Sequence, residues 1–434
     1  MKKTKIICTV GPSTDNIPLL VSMLKAGMDM ARFNFSHGSH SEHAQRLGLV
    51  RGAAEQVNKP IAMIADTRGP EMRLGIFEHD KITLQEGESF CLTTKEQIGN
   101  EQISSVNYSG LPDELKVGDA ILLADGLLSL EVERINGTEI YTKVVHGGQL
   151  GSRKRVACPG VELKLPFLSE QDIKDITFAI EHDMDYIAAS FVQKAEDVLA
   201  IRKGLEAAGS GMGIISKIEN QAGFTHIDEI IEVSDGVMVA RGDLGVEIPA
   251  EYVPLVQKEI IRRCNKAGKP VITATQMLES MVNSYRATRA EASDIANVIM
   301  LSGETASGSY PLEAVQTMAK IALRTEEALD YAAIFKGKGI SDKIHSTEAI
   351  SHATVQIAQE LDADAIVTVT ESGFTARMIA KYRPKCYVVG VSRIPARVRA
   401  MQFYWGVRPL LGPSSDNTDE MIEISLKCAR EHGY

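Results

Sequence analysis

Eight short apolar runs, separated by segments with helical spacing, constrain this 434-residue chain more than any other feature. Polar clusters recur where these runs end, as they do at the carboxyl ends of strands in parallel α/β folds. The runs cover residues 4–10, 28–35, 60–65, 186–191, 213–218, 236–240, 270–276 and 298–302. This number of alternating strands and helices is typical of a TIM barrel. We therefore predict an α/β fold built on an eight-stranded (β/α)8 barrel.

The pattern changes twice along the chain. Between the third and fourth runs, short alternating segments separated by Gly, Asn and Asp predict a small β-barrel, with Asn136-Gly137 as a hairpin turn. After a Gly/Lys-rich linker at 335–343, helices and strands alternate again and predict an open α/β domain. The predicted domains are a catalytic barrel (1–70 and 165–335), a β-barrel lid (71–164) and a C-terminal α/β domain (344–434).

Composition excludes several classes of function. The net charge of −10 argues against a general nucleic-acid binder or a binder of acidic membranes. No apolar run reaches membrane-spanning length, and the N-terminus lacks the pattern of a signal peptide. The six cysteines are scattered and form no C-x-x-C pair, which favours reduced thiols. We expect a cytoplasmic protein.

The segment 214–249 predicts a strand, a helix and a second strand, with charged side chains after each strand. Lys217, Glu219 and Asp243 would then lie at the same edge of the sheet. The two carboxylates suit a hard cation such as Mg2+, and the lysine with the backbone N–H groups of 241–245 suits a small phosphorylated anion. A buried ion-pair network is the alternative interpretation.

Histidines spaced by three follow the second run and raise the question of a zinc site. They are His37, His40 and His43. The alternative is a helix start with solvated histidines, which we favour because no cysteine or suitable carboxylate completes a tetrahedral set.

Eight blocks of sequence occur in the order typical of the pyruvate kinase family, which this chain therefore resembles over nearly its whole length. The blocks are ICTVGPST, MARFNFSHG, DTRGPEMR, LLADGLLSL, SKIENQAG, MVARGDLGVEIP, ITATQMLESM and MLSGETASGSYPLEAV. The resemblance implies phosphoryl transfer from phosphoenolpyruvate to ADP, giving pyruvate and ATP as the last step of glycolysis. It also implies a homotetramer.

The resemblance assigns roles residue by residue. The implied catalytic residues are Lys217, Arg32, Thr275, Ser302 and Glu304, the last two as a hydroxyl–carboxylate proton relay. The implied substrate contacts are Arg32, Lys217, Gly242, Asp243 and Thr275, with the Gly242 and Asp243 amides donating to the substrate carboxylate. Glu219 and Asp243 are the implied Mg2+ ligands.

A second cation and the nucleotide are implied in the same way. The K+ ligands by resemblance are Asn34, Ser36, Asp66 and Thr67. Arg32, Asn34 and Ser36 would share one face of an extended strand end. Glu71 occupies a position where K+-independent relatives have lysine, whose ammonium would replace the ion's charge, so we predict K+ dependence. The nucleotide contacts implied are Arg32, Asn34, His37, Arg73 and Lys154.

A loop in the C-terminal region is implied to bind an effector phosphate. Thr370, Ser372, Gly373 and Thr375 follow a strand and open a helix, where N–H and hydroxyl groups can cradle an anion. An N-capped helix is the alternative. Glu371 would repel a phosphate unless Arg377 or Arg393 compensates.

Three departures from the family pattern lead to further expectations. Relatives usually have Lys-Gly-Val-Asn where this chain has Lys154-Arg155-Val156-Ala157. They also carry a longer connection before strand eight, so we expect either an unwound helix over 289–297 or an imperfect strand eight. A protein that binds ligand but is catalytically impaired is therefore the alternative function. Relatives continue past the helix at 418–430, so we expect an incomplete third domain with an exposed sheet edge, and the tetramer is in question. An aldolase or lyase is a third hypothesis, disfavoured by the insert and the K+ residues.

Overall fold

The computed structural model describes residues 2–161, 163–289, 291, 298–338, 346–412 and 417–434. Within them the chain forms a closed barrel of eight parallel strands, an inserted antiparallel region and a C-terminal three-stranded parallel sheet. The α/β fold class predicted from the sequence is confirmed.

The chain begins with three barrel strands and two helices. They are β1 (Ile6–Thr9), α1 (Ile17–Ala26), β2 (Met28–Asn34), α2 (His40–Gln56) and β3 (Ala62–Asp66). The strands are apolar and buried on both faces, as parallel strands covered by helices must be. Ser39 starts α2 with a capping box, because its hydroxyl accepts from the Glu42 amide while the Glu42 carboxylate accepts from the Ser39 amide.

The inserted region surrounds its own apolar core. Its elements are β4 (Met72–Arg73), β5 (Lys81–Leu84), β6 (Ser89–Thr93), β7 (Ile103–Ser105), α3 (Leu111–Glu114), β8 (Ala120–Leu123), β9 (Leu128–Asn136), β10 (Glu139–His146), β11 (Gly148–Gly151) and β12 (Arg155–Ala157). Where the sequence predicts a small barrel, seven strands form one sheet in the order β4-β12-β8-β9-β10-β6-β7, and β11 pairs separately with β5.

Five further strands and their helices complete the barrel. They are α4 (Glu170–Glu181), β13 (Tyr186–Ala189), α5 (Ala195–Ala207), β14 (Gly213–Ile218), α6 (Gln221–Thr225), α7 (Ile227–Val233), β15 (Gly236–Ala240), α8 (Arg241–Glu247), α9 (Val253–Ala267), β16 (Val271–Ala274), β17 (Val298–Leu301), α10 (Gly303–Ala306) and α11 (Pro311–Glu327).

The barrel closes in the order β1-β17-β16-β15-β14-β13-β3-β2. Every neighbouring pair is parallel, so all eight carboxyl ends reach the same face. The eighth strand, β17, pairs with β1 through Ile6↔Ile299 and with β16 through Ile272↔Val298. The predicted imperfection of strand eight is therefore wrong over 298–301. The predicted helix over 289–297 lies almost entirely outside the described residues.

A C-terminal α/β unit follows the barrel. Its elements are α12 (Tyr331–Lys338), α13 (Ser346–Glu360), β18 (Ala365–Val369), α14 (Phe374–Lys381), β19 (Tyr387–Ser392), α15 (Pro395–Ala400), β20 (Val407–Leu411) and α16 (Thr418–Glu431). The predicted linker at 335–343 is wrong where it can be checked, because 335–338 is helical and Phe335 packs in this unit's core. The remainder of that segment lies outside the described residues.

Two smaller expectations concern the cysteines and the membrane. All six cysteines are free thiols, as predicted, and five of them are buried. None of the helices in the described part of the chain has both the length and the apolar character that crossing a bilayer requires.

Candidate active site

Lys217 lies near the carboxyl end of β14, and its ammonium contacts two carboxylates and a hydroxyl. Its Nζ lies 2.9 Å from Glu219 Oε1 and 3.1 Å from Asp66 Oδ1, and it donates to Ser190 Oγ at 2.6 Å. Burial alone would lower the pKa of Lys217, but the Asp66 and Glu219 carboxylates outweigh burial and raise that pKa above its ordinary value. A permanently charged, fixed cation therefore lies at the strand ends, where it suits an anionic group.

Asp66 is shared between Lys217 and a second cation, Arg32. Arg32 Nε donates to Asp66 Oδ2 at 2.5 Å, and its Nη1 donates to Thr9 Oγ1 at 3.0 Å and lies 3.5 Å from Ser302 Oγ. Asp66 is fully buried; burial raises its pKa, but Arg32 and Lys217 together lower it. The carboxylate therefore stays ionised and fixes the relative position of the two cations.

Glu219 and Asp243 present two carboxylates to the same region. Glu219 Oε2 accepts from the Phe191 amide at 2.7 Å, and Asp243 lies in the first turn of α8. Burial raises the pKa of Glu219, and the charge of Asp243 adds to that rise against the opposing effect of Lys217. Because the two carboxylates repel each other, a divalent cation between them would relieve the repulsion. Among the described residues, no three or more His, Cys, Asp or Glu side chains are placed together so that they could hold a metal ion. The two carboxylates would therefore need oxygens of substrate and water, as is usual for Mg2+.

The turn after β16 lies against the start of α8. Thr275 has φ +63°, a left-handed conformation that is rare for a β-branched residue, and its Oγ1 accepts from the Gly242 amide at 3.2 Å. Arg241 Nη2 holds this turn by donating to the Thr275 carbonyl at 2.6 Å. A Cβ on Gly242 would come within 3.1 Å of Thr275 Oγ1, so glycine permits the close approach of the two segments.

Ser302 and Glu304, the residues of the predicted proton relay, follow β17. Glu304 is fully buried and accepts from the Leu278 amide at 3.0 Å and the Ser302 amide at 2.7 Å. The Ser302 hydroxyl faces Arg32 instead. Glu304 therefore holds the backbone that carries Ser302, and the proton relay implied by the resemblance stays a prediction.

The residues predicted to bind K+ lie on adjacent strand ends. Asn34 and Asp66 are cross-strand partners, and Asn34 Oδ1 accepts from the Ser36 amide at 3.2 Å. Thr67 follows β3; its hydroxyl donates to the Ala188 carbonyl at 3.3 Å. The set offers neutral and carboxylate oxygens, without thiolate or imidazole, and therefore has the donor chemistry that a hard cation prefers.

The residues predicted to bind the nucleotide lie further out. Arg73 in β4 donates to Glu71 Oε2 at 2.6 Å and to the Arg153 carbonyl at 3.0 Å. Lys154 and His37 are exposed, so the structure does not bring them into the buried cluster.

The C-terminal loop predicted to bind an effector is closed on its own backbone. Thr370 Oγ1 accepts from the Gly373 amide at 3.0 Å, and Ser372 Oγ accepts from the Phe374 amide at 3.3 Å. Thr375 lies in the first turn of α14. Of the two arginines predicted to offset Glu371, Arg393 pairs with it at 2.9 Å, whereas Arg377 donates to the Gly268 carbonyl.

The sequence predicts solvated histidines at 37, 40 and 43, and this prediction is wrong for His43, which is buried. His40 Nε2 lies 2.6 Å from Asp175 Oδ1, and buried His43 contacts the His37 carbonyl at 2.9 Å. Only His37 is exposed among these three.

Comparison with known proteins decides the family. A model of the pyruvate kinase barrel domain matches residues 1–315, and a model of the pyruvate kinase alpha/beta domain matches residues 348–434. The chain belongs to the pyruvate kinase family. It is 47% identical to the pyruvate kinase of Clostridium acetobutylicum over all of this chain and 94% of that protein. It is 49% identical to the pyruvate kinase of Bacillus licheniformis over all of this chain and 76% of that protein.

A solved structure supports the same assignment. The crystal structure of a pyruvate kinase from Cryptosporidium parvum superposes with a TM-score of 0.96 at 39% identity, covering 99% of this chain and 91% of that one. Membership of the pyruvate kinase family makes this chain an enzyme, a phosphotransferase. The impaired-protein alternative is not favoured, and the lyase hypothesis is wrong.

Sequence reasoning missed Arg155, which contacts the candidate active site. It lies in β12 of the insert, and its guanidinium donates to Asp243 Oδ1 on the barrel and stacks 4.8 Å from the centre of the Phe191 ring. The only signal in the sequence was the replacement of the usual glycine after Lys154. The insert therefore reaches a proposed metal ligand directly.

Proposed function

We propose that this chain transfers the phosphoryl group of phosphoenolpyruvate to ADP, consuming one proton and giving pyruvate and ATP in glycolysis. The observation that carries the proposal is the placement of Lys217 and Arg32 on the two oxygens of one buried carboxylate, Asp66. Two fixed cations at the carboxyl ends of barrel strands suit a phosphoryl group that bears dispersed negative charge in a loose transition state. A glycolytic role also favours a cytoplasmic enzyme.

The cations orient the donor and stabilise the charge in transfer. Lys217 is held by carboxylates on two sides, so its ammonium does not need to reorganise when negative charge develops. Arg32 binds the same phosphoryl group from β2, which is separated from β14 by β13 and β3 in the barrel. The Gly242 and Asp243 amides and Thr275 hold the substrate carboxylate at the start of α8, which fixes the position of the reacting carbon.

Protonation of the enolate falls to Ser302. Its hydroxyl lies within 3.5 Å of Arg32 Nη1, beside the substrate position proposed above. Glu304 is a positioning residue, because it binds the Ser302 amide rather than the hydroxyl.

Two metal ions complete the proposal. Glu219 and Asp243 would hold Mg2+, which supplies positive charge to the phosphoryl oxygens when bound. Asn34, Ser36, Asp66 and Thr67 would hold K+. Arg73, Lys154, His37 and Asn34 would contact ADP or ATP from the insert and the barrel rim. The homotetramer and the effector site at Thr370, Ser372, Gly373 and Thr375 remain proposals from family resemblance.

The test is ATP formation from phosphoenolpyruvate and ADP with Mg2+, first in K+ and then with a tetraalkylammonium salt in its place. We expect turnover in K+ that collapses without it. Turnover in both salts would retain the reaction and reject the K+ site. Absence of turnover in K+, from folded protein that still binds phosphoenolpyruvate, would contradict the proposed reaction.

A further inference from the structure

A second cluster of cations lies at the opposite end of the barrel from the active site. It lines a cavity of about 40 Å³ between the amino ends of β16 and β17 and the C-terminal unit. The charged residues that line it are Lys269, Lys338, Arg377, Lys381 and Arg383, beside Trp405. None of the described residues lining this cavity is an aspartate or glutamate.

Three of these cations contact neutral carbonyl groups. Lys269 donates to the Ser234 carbonyl, Arg377 Nη1 donates to the Gly268 carbonyl at 3.1 Å, and Lys338 donates to the Lys381 carbonyl. Carbonyl partners orient these charged groups but do not neutralise them. The cavity therefore lies in a region of positive potential.

The other two cations are held differently. Lys381 forms an ion pair with Glu348 at 2.6 Å, and the Arg383 guanidinium lies 4.5 Å from the centre of the Trp405 ring. Trp405 is the only tryptophan of the chain, and it is buried.

Two lysines of the cavity have lowered pKa values and are therefore charged less readily when no anion is bound. Burial is the largest cause that lowers the pKa of Lys338 to about 7, and Arg383 and Lys381 lower it further. Burial, followed by Arg377, lowers the pKa of Lys269. A negatively charged ligand beside these amines would favour their charged forms and would in turn be bound by them.

We propose that this cavity binds a small tetrahedral oxyanion: inorganic phosphate or the phosphate group of a small phosphomonoester. Its volume corresponds to about three water molecules, which one such group can fill. Because Lys269 belongs to the barrel and Arg377 to the C-terminal unit, the ligand joins the two. This site is separate from the loop at 370–375 and from the proposed reaction.

Trp405 reports on the cavity directly. The full chain is titrated with inorganic phosphate, and in parallel with glycerol 3-phosphate, at ionic strength held constant with chloride. We expect a saturable change in Trp405 fluorescence with at least one of the two anions. The anion that causes this change shows whether the ligand is inorganic phosphate or a phosphomonoester. A change that does not saturate, or that chloride alone reproduces, would overturn the proposal.

Matched variants separate this site from general charge effects and from the active site. K338M and R377M should each weaken the Trp405 response at least tenfold. K336M removes an exposed lysine from the same helix and should leave the response unchanged. R32Q disables the active-site anion position and should also retain it. Equal losses in K336M and K338M, or loss in R32Q, would reject the site; thermal melts establish that each variant is folded.

Discussion

At the scale of single residues, Arg155 would compete with the proposed divalent cation for the Asp243 carboxylate. The Arg155 guanidinium donates to Asp243 Oδ1, and its positive charge opposes the binding of a metal ion to the same carboxylate. We therefore expect R155G to bind Mn2+, used as a paramagnetic substitute for Mg2+, several-fold more tightly than the wild type when nucleotide is absent. Electron paramagnetic resonance of free Mn2+ measures the affinity without turnover.

R153G is the matched control for this prediction. It removes a positive charge two residues before Arg155, at a left-handed residue with φ +58°. Arg153 is exposed, and its hydrogen bonds to Gly75 and Arg73 are made by its backbone. The Mn2+ affinity of R153G should equal that of the wild type. An R155G affinity no higher than that of R153G would show that the contact between the insert and Asp243 does not govern the metal.

Substitutions at Glu71 test whether activity depends on K+. We expect E71K to turn over without K+, because a lysine ammonium near the site would replace the ion's charge. E71Q loses the ion pair with Arg73 equally but adds no cation, so it should remain K+-dependent. Steady-state rates in K+ and in tetraalkylammonium salt measure both. K+-independent activity in E71Q, or K+ dependence in E71K, would contradict the prediction.

Residue types and their order were enough to predict which side chains meet at the strand ends. Lys217, Glu219, Asp66 and Arg32 do come together, because parallel strands deliver their carboxyl ends to one face. The orientation of each side chain was not predictable in this way. The Ser302 hydroxyl turns to Arg32 rather than to Glu304, since the carboxylate already accepts from two backbone amides.

At the scale of secondary-structure elements, a buried ion pair joins the first two barrel strands. Asp29, in β2, is 1% exposed; it accepts from the Ile6 amide at 3.0 Å and from the Lys2 ammonium. Burial is the largest influence on the pKa of Asp29 and raises it, but Lys2 and Lys59 together outweigh burial and leave the pKa well below its usual range. The carboxylate is therefore ionised throughout the neutral range, and it stabilises the folded chain.

Because the pKa of Asp29 is lowered in the folded chain, the stabilisation that this carboxylate provides decreases at low pH. The stabilisation is fully present above the unfolded pKa of about 3.9 and is lost as the pH falls below that value. We expect D29N to lower the free energy of unfolding at pH 7 by about 3 kcal/mol, because it leaves a buried lysine unpaired. The difference between D29N and wild type should shrink as the pH falls below about 4.

Urea unfolding at several pH values between 3 and 7 measures this dependence. D362N is the control, because Asp362 pairs with Lys385 on the surface and should leave the urea midpoint unchanged. A D29N deficit that is the same at pH 3 as at pH 7 would show that the ionised carboxylate is not the source of the stabilisation.

Apolar strands of five or six residues were predictable from the sequence, whereas strands of two or three residues were not. The strands at 213–218 and 236–240 agree with the sequence prediction at both ends. The strands β4 and β12, of two and three residues, were missed because so few residues carry no periodicity of their own. They form because the insert returns to the barrel there and the two segments pair with each other, a contact between positions far apart in the chain.

At the scale of the whole molecule, the C-terminal unit closes the lower end of the barrel with one aromatic side chain. Phe403 is fully buried and packs against the barrel interior, with its ring 5.1 Å from that of Tyr186 in an edge-to-face arrangement. Gly236 permits this approach, since a Cβ there would lie 2.4 Å from a carbon of the Phe403 ring. The barrel and the C-terminal unit therefore share a core at this point, and their stabilities should be coupled.

Removing the Phe403 ring should uncouple the unfolding of the barrel from that of the C-terminal unit. We expect F403A to reduce the free energy of unfolding by about 3–5 kcal/mol, because it leaves a cavity between well-packed elements. Scanning calorimetry should then resolve two transitions where the wild type gives one, with the earlier transition belonging to the C-terminal unit. F374A, which shortens an exposed phenylalanine of the same unit, should keep a single transition at the wild-type temperature. A single, unshifted transition in F403A would show that this contact does not couple the barrel to the C-terminal unit.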